Sequence, residues 1–185
     1  MLLLNDLSDT ARCYKNEMEI ALGIKASNVP RHELFITSKV DTKEMASYDK
    51  TYQAVINALR NLQVSYLDLM LLHWPGIKGK PQNSPEHRLR RFEAYKALIR
   101  ARDEGLVRFV GVSNFLSRHL GELFEDCERE GLVDYVPYLN QVELHPMCQQ
   151  KETVQFCRER SINVQAYSSL GTGQVISKEL SRIAN

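Results

Sequence analysis

Short apolar runs recur along this chain, each followed by a longer segment whose apolar residues fall at helical spacing. The runs are Leu34 to Val40, Leu67 to His73, Val107 to Ser113, Tyr138 to Val142 and Ile162 to Tyr167. Near-continuous apolar strands are what a parallel sheet covered on both faces requires. Between them, Tyr52, Val55, Ile56, Leu59 and Leu62 fall at i, i+3, i+4, i+7 and i+10, which is one helical stripe. Leu89, Phe92, Tyr95 and Ile99 form a second stripe that stops near Gly105. Leu116, Leu120, Leu123, Phe124 and Cys127 form a third, with Ser117 predicted as its N-cap and Gly131 as its stop. Shorter helices are predicted over 16–25 and 150–160. Strand alternating with helix reads as an α/β fold with a parallel sheet. A unit of about 30 residues suits a (β/α)8 barrel, and it suits a doubly wound sheet equally.

The polar residues add a second pattern. Lys39 lies at the penultimate position of the first run, His73 ends the second, Ser113 and Asn114 the third, Gln141 lies near the end of the fourth, and Tyr167 ends the fifth. Parallel strands put all these ends on one side of the sheet, which is where a barrel gathers catalytic groups. Singly, each has a plain structural reading. Lys39 can be a solvated strand end, His73 a residue before the turn at Pro75, Tyr167 a core aromatic, and Asn140 with Gln141 loop hydrogen-bonders. Their convergence on one face favours a site. No Gly-x-Gly-x-x-Gly or Gly-Lys-Ser/Thr phosphate loop, His-Glu-x-x-His zinc motif or Gly-x-Ser-x-Gly elbow is present.

Charge narrows the partners. Twenty-four Lys and Arg against 23 Asp and Glu leave a formal net charge of +1, without the basic footprint of a nucleic-acid or anionic-membrane binder. No apolar run reaches the roughly 18 residues of a membrane span. Met1-Leu2-Leu3-Leu4 is short for a signal-peptide core, so a cytoplasmic location is expected. With 43% hydrophobic and 25% charged residues, the chain is expected to form a single globular domain over 1–185. Cys13, Cys127, Cys148 and Cys157 make no Cys-x-x-Cys pair and are read as reduced thiols.

At these strand ends the chain resembles the aldo-keto reductase family. The stretch Asp9-Thr10-Ala11-Arg12-Cys13-Tyr14-Lys15-Asn16-Glu17 is similar to the family's first signature, and Gly111-Val112-Ser113-Asn114-Phe115 to its second. Phe35 to Lys39 resembles the lysine strand and Leu67 to Pro75 the histidine strand. Asn140 to Pro146 and Ala166 to Gly171 complete the order. The resemblance implies a (β/α)8 TIM barrel and NADPH-dependent reduction of aldehydes or ketones, with a small carbonyl compound as partner. It implies Tyr14 as general acid, with Lys39 lowering its pKa, Asp9 holding Lys39, and His73 orienting the carbonyl. Ser113, Asn114 and Gln141 would bind the nicotinamide carboxamide, Tyr167 would stack on its ring, Ser168 and Leu170 would lie along the pyrophosphate, and Trp74 would wall the substrate pocket.

The family's first and eighth strands have no counterpart, so about six of eight βα units are expected, an incomplete barrel truncated at both ends. Ser177-Lys178 and Arg182-Ile183 superficially resemble the family's 2′-phosphate motif without a strand before them. An open barrel has two unpaired edges. A complete member is expected to be a monomer, whereas this shortened form can self-associate through those edges and bind NADPH weakly. The alternatives are an inactive or regulatory product and, outside the family, a barrel enzyme using Lys39 as a Schiff-base nucleophile. Cys13, beside Tyr14, marks a thiol whose modification could block the site.

Overall fold

The structure, a computed structural model, describes residues 7–173. Its elements alternate as the sequence pattern requires: β1 (Leu7–Asp9), α1 (Glu17–Ser27), β2 (Phe35–Val40), α2 (Tyr48–Leu62), β3 (Leu67–Leu72), α3 (Glu86–Asp103), β4 (Val107–Ser113), α4 (Ser117–Arg129), β5 (Leu139–Glu143), α5 (Lys151–Glu159) and β6 (Asn163–Tyr167). The strands form one sheet in the order β1-β2-β3-β4-β5-β6, every pair parallel. The sheet is curled. The Gln141 amide on β5 hydrogen-bonds the Asp9 carboxylate on β1, although a flat sheet would hold strands four places apart at about 19 Å. Six parallel strands with helices outside are an incomplete (β/α)8 barrel, and the doubly wound alternative falls away.

Strand alternation sorts the core. Ile36, Val40, Met70, Leu72, Val110 and Val112 face outward and pack beneath α2, α3 and α4, where Val55, Leu62, Tyr95, Leu98, Leu120 and Leu123 are buried. The register then assigns the inner face: Thr37 pairs with Leu69 and Leu69 with Phe109, while Lys39 pairs with Leu71 and Leu71 with Gly111. A Cβ at Gly111 would stand 2.5 Å from the Leu139 carbonyl oxygen and 2.8 Å from Leu71 Cδ2, so only glycine lets β4 and β5 approach here. The helices α3 and α4 stop at Gly105 and Gly131, as predicted, with φ of +75° and +70°.

Two local expectations are corrected. Leu89 is 54% exposed, because the buried stretch of α3 starts at Arg91 and Phe92 and Leu89 precedes it in the first turn. Ser117 is the first helical residue of α4 and not its N-cap. Its hydroxyl donates to Glu152 on α5, and His119 Nδ1 accepts from the Leu116 amide instead (3.2 Å). Ser177, Lys178, Arg182 and Ile183 lie outside the described residues. Among the described residues no helix is long and apolar enough to cross a membrane.

Of the buried charges among the described residues that the sequence reading did not single out, Asp68 is the most deeply placed. Asp68, on the outward side of β3, is fully buried. Its two oxygens accept from Arg31 (2.7 Å), the Ile36 amide (2.9 Å) and Arg108 (2.8 Å). A carboxylate taken out of water needs such a set of donors, and here it ties β2, β3 and β4 together.

Candidate active site

The residues singled out at the strand ends meet at the mouth of the half-barrel. Lys39 is only 2% exposed. Its ammonium pairs with Asp9 and donates to the Thr10 carbonyl at 3.0 Å. Asp9 in turn accepts from Gln141, whose amide also donates to Gln165 Oε1 at 3.0 Å. One carboxylate therefore links β1, β2 and β5 across the opening, and Gln165 extends the link to β6.

Tyr14 reaches this group from a short 3-10 turn, Arg12–Tyr14, that follows β1 directly. The turn is fixed at several points. Thr10 N donates to Thr37 O (2.9 Å), Tyr14 N to Ala11 O (2.9 Å) and Thr10 Oγ1 to Asn16 Oδ1 (2.7 Å). Arg12 spans Glu17 at 2.6 Å and Glu44 at 3.0 Å. Held this way, the Tyr14 ring lies 5.5 Å from Lys39 Nζ and meets His73 edge-on, centroids 5.9 Å apart. His73 follows β3 immediately, with its amide donating to Val40 O at 3.3 Å, and its ring stacks against Trp74 at 6.3 Å. Cys13 Sγ lies 3.5 Å from His73 Nδ1.

The electrostatics correct one expectation. The Tyr14 phenol is pushed above its ordinary value, by burial first and then by the Asp9 carboxylate and Cys13. The Lys39 ammonium, 5.5 Å from the ring centroid and paired with Asp9 and the Thr10 carbonyl, does not outweigh this rise. Tyr14 thus keeps its proton at neutral pH while remaining 52% exposed. His73 moves the other way: burial, followed by the Lys39 charge, holds its pKa below the usual imidazole value, so the ring is neutral at pH 7. Burial, followed by Asp41, keeps the Cys13 thiol above its ordinary pKa. That argues against Cys13 as a reactive thiolate.

A second polar chain runs beside the first. Tyr167 OH donates to Asn114 Oδ1 (2.8 Å), Asn114 Nδ2 donates to the His73 carbonyl (2.9 Å) and to Ser113 Oγ (3.2 Å), and Ser113 Oγ donates to the Gln141 carbonyl (2.8 Å). Asn114 has a left-handed φ of +62°, a conformation asparagine tolerates better than most residues. Ser168 and Leu170 follow β6. Ser168 has a φ of +49° and its carbonyl accepts from Gly171 N (2.7 Å), while Leu170 is exposed. Thr10, Asn16 and Gln165 were missed as members of the site. Gln165 carried a signal, since it lies two positions before Tyr167 and so on the same strand face.

Comparisons with known proteins agree with this geometry. The sequence profile described as "Aldo/keto reductase family" matches residues 6–184. This chain belongs to that family. It is 42% identical over 172 residues to glyoxal reductase of Bacillus subtilis (strain 168), covering 93% of this chain and 56% of that protein. The crystal structure of an aldo/keto reductase from Brucella melitensis superposes with a TM-score of 0.81 at 33% identity, covering 97% of this chain and 63% of that one. A Bombyx mori aldo-keto reductase solved in complex with NADP gives a TM-score of 0.76 at 32% identity, covering 88% and 52%. The chain spans about half the length of the curated relatives it matches.

Proposed function

We propose that this chain carries the reducing centre of an aldo-keto reductase, converting a small aldehyde or ketone to the alcohol with NADPH as hydride donor. The observation that carries the reading is the meeting of Tyr14, His73 and the buried Lys39–Asp9 pair at one strand-end face.

The polar groups beside that cluster fit the cofactor's reactive end. A carboxamide both donates and accepts; Ser113 and Asn114 offer a hydroxyl and an amide in one bonded chain that ends on the Gln141 backbone carbonyl, and the Gln141 side-chain amide lies on the same strand, bonded to Asp9 and Gln165. Tyr167, its hydroxyl pinned to Asn114, presents an aromatic face to a flat ring, while Ser168 and Leu170 border the path a pyrophosphate would take. When bound, the nicotinamide supplies the hydride.

The rest is done by residues of this chain. Negative charge develops on the carbonyl oxygen, and a neutral His73 gives that oxygen a hydrogen bond that orients it. Tyr14 donates its phenolic proton to the same oxygen. The Tyr14 O–H bond breaks, the alcohol O–H bond forms, and the phenolate regains a proton from water at its exposed side. Lys39 stabilises the transient phenolate through space, while Asp9 and Thr10 hold the ammonium in place. Trp74, stacked on His73, walls the carbonyl's side of the site.

Titration with NADPH, followed by the fluorescence of Trp74, the only tryptophan, tests the cofactor half of this reading. Saturable quenching is expected. A soluble, folded chain whose emission does not change at any NADPH concentration would count against it.

A further inference from the structure

His73 has two ring nitrogens, and its proposed role needs a hydrogen on the one that faces the carbonyl. A neutral imidazole carries a single N–H, so something must choose the nitrogen. Among the described residues, the one side-chain hydrogen-bond partner of the ring is Cys13 Sγ, 3.5 Å from Nδ1, within the reach of a sulfur hydrogen bond. No partner for Nε2 is found there. The position of Cys13 is set by the same turn that sets Tyr14. The turn is locked by the Thr10–Thr37 and Tyr14–Ala11 backbone bonds and by the Arg12 ion pairs.

We infer that Cys13 is a positioning residue: its thiol donates to Nδ1 of His73 and thereby keeps the ring proton on Nε2, the nitrogen left free to donate to a carbonyl oxygen. An imidazole nitrogen is a better acceptor than a thiol sulfur, which favours this direction over an Nδ1–H donating to Sγ. A thiol has one hydrogen to give, and Nδ1 can accept it only when it bears none. A free thiol is protonated at neutral pH and the surroundings of Cys13 raise its pKa further, so the hydrogen this bond needs is present. The adjacent residues of one 3-10 turn then serve the same oxygen, Tyr14 as the proton source and Cys13 through His73. The catalytic half of this inference rests on the reductase reading, but the tautomer itself does not.

The test is nitrogen-15 NMR of the imidazoles in the full chain at neutral pH, without cofactor or substrate, the His73 signals being assigned by their loss in His73→Gln. In the unmodified chain, Nδ1 is expected to give the signature of a nitrogen without hydrogen and Nε2 that of an N–H. Cys13→Ala removes the donor, and the Nδ1–H form is expected to rise about fivefold relative to the other, the change that a hydrogen bond of about 1 kcal/mol produces. Cys13→Ser, which keeps a donor on a shorter arm, is expected to restore part of the bias. A proton on Nδ1 in the unmodified chain would overturn the inference, and so would an unchanged ratio in a folded Cys13→Ala variant. The expected tautomer in a chain that reduces no carbonyl would instead leave this inference standing and remove the reductase reading.

Discussion

Asp9 and Gln141 stand 132 positions apart in the chain and hydrogen-bond side chain to side chain across the mouth of the half-barrel. The other oxygen of the same carboxylate holds the buried Lys39. Closure of the sheet and the setting of the site are therefore one interaction, because the charge that compensates Lys39 also joins the first strand to the fifth.

Asp9→Asn should weaken the fold as well as the site. It leaves the Lys39 ammonium inside without a counter-charge and turns a donor toward the Gln141 amide. A fully buried pair broken in this way costs about 3–5 kcal/mol. The Asp9 side chain keeps 28% of its exposure, so a loss of about 2 kcal/mol is expected, in the range of charge-assisted hydrogen bonds. A lower urea midpoint at unchanged slope would show it. An unchanged midpoint would mean that Asp9 contributes nothing to the fold.

Asp68→Ala should be more damaging to stability. It removes the acceptor of two arginines and of a buried backbone amide at once. With the carboxylate fully buried, a loss of about 3–5 kcal/mol is expected, read from denaturant unfolding. A loss below about 1 kcal/mol, the scale of a surface pair, would contradict the role given to Asp68.

Gly111→Ala tests the inner wall. The added methyl falls inside contact distance of a backbone carbonyl on β5 and of Leu71, and the backbone cannot yield as a side chain can. A destabilisation of about 1–3 kcal/mol is expected. Because β4 and β5 carry Ser113 and Gln141, the bond between Ser113 Oγ and the Gln141 carbonyl should weaken with it. A variant as stable as the parent would show that the two strands separate freely here.

Acid should destabilise the chain in part through His119. Burial, then Arg91 and Arg118, push its pKa down to about 4. An unfolded histidine titrates near 6.5, so the unfolded state binds the extra proton between those values, and stability falls as pH drops from about 6.5 toward about 4. His119→Gln, which cannot titrate, should flatten part of that slope in urea midpoints measured from pH 7 to pH 5. Parallel slopes in the two proteins would contradict the assignment.

The β4 strand, Val107–Ser113, was legible residue for residue, because its apolar run is bounded by Gly105 and by a polar end. Of the others, β2, β3, β5 and β6 agreed to within a residue at each end, whereas β1, Leu7–Asp9, was not among the runs read as strands. Leu89 was misread because a stripe counted from spacing alone takes no account of where the helix begins to meet the sheet. At the site, residue types and order pointed to Tyr14, Lys39, His73 and Asp9, and they were indeed brought together. The direction of the Tyr14 shift was not legible, since it depends on how completely Asp9 and Thr10 compensate Lys39. Nor was the Asp9–Gln141 bond, which depends on the curl of the whole sheet and on no local pattern.

The most direct measurement is the consumption of NADPH by the full chain with a generic aromatic aldehyde, compared between the parent and Tyr14→Phe. That change removes only the phenolic oxygen of a half-exposed side chain. The reading of Tyr14 as general acid predicts saturable, aldehyde-dependent consumption that falls by about 10²-fold or more in the variant, the contribution typical of a positioned proton donor. Equal rates in the two proteins would contradict it, as would a folded parent chain that consumes no NADPH at any aldehyde concentration.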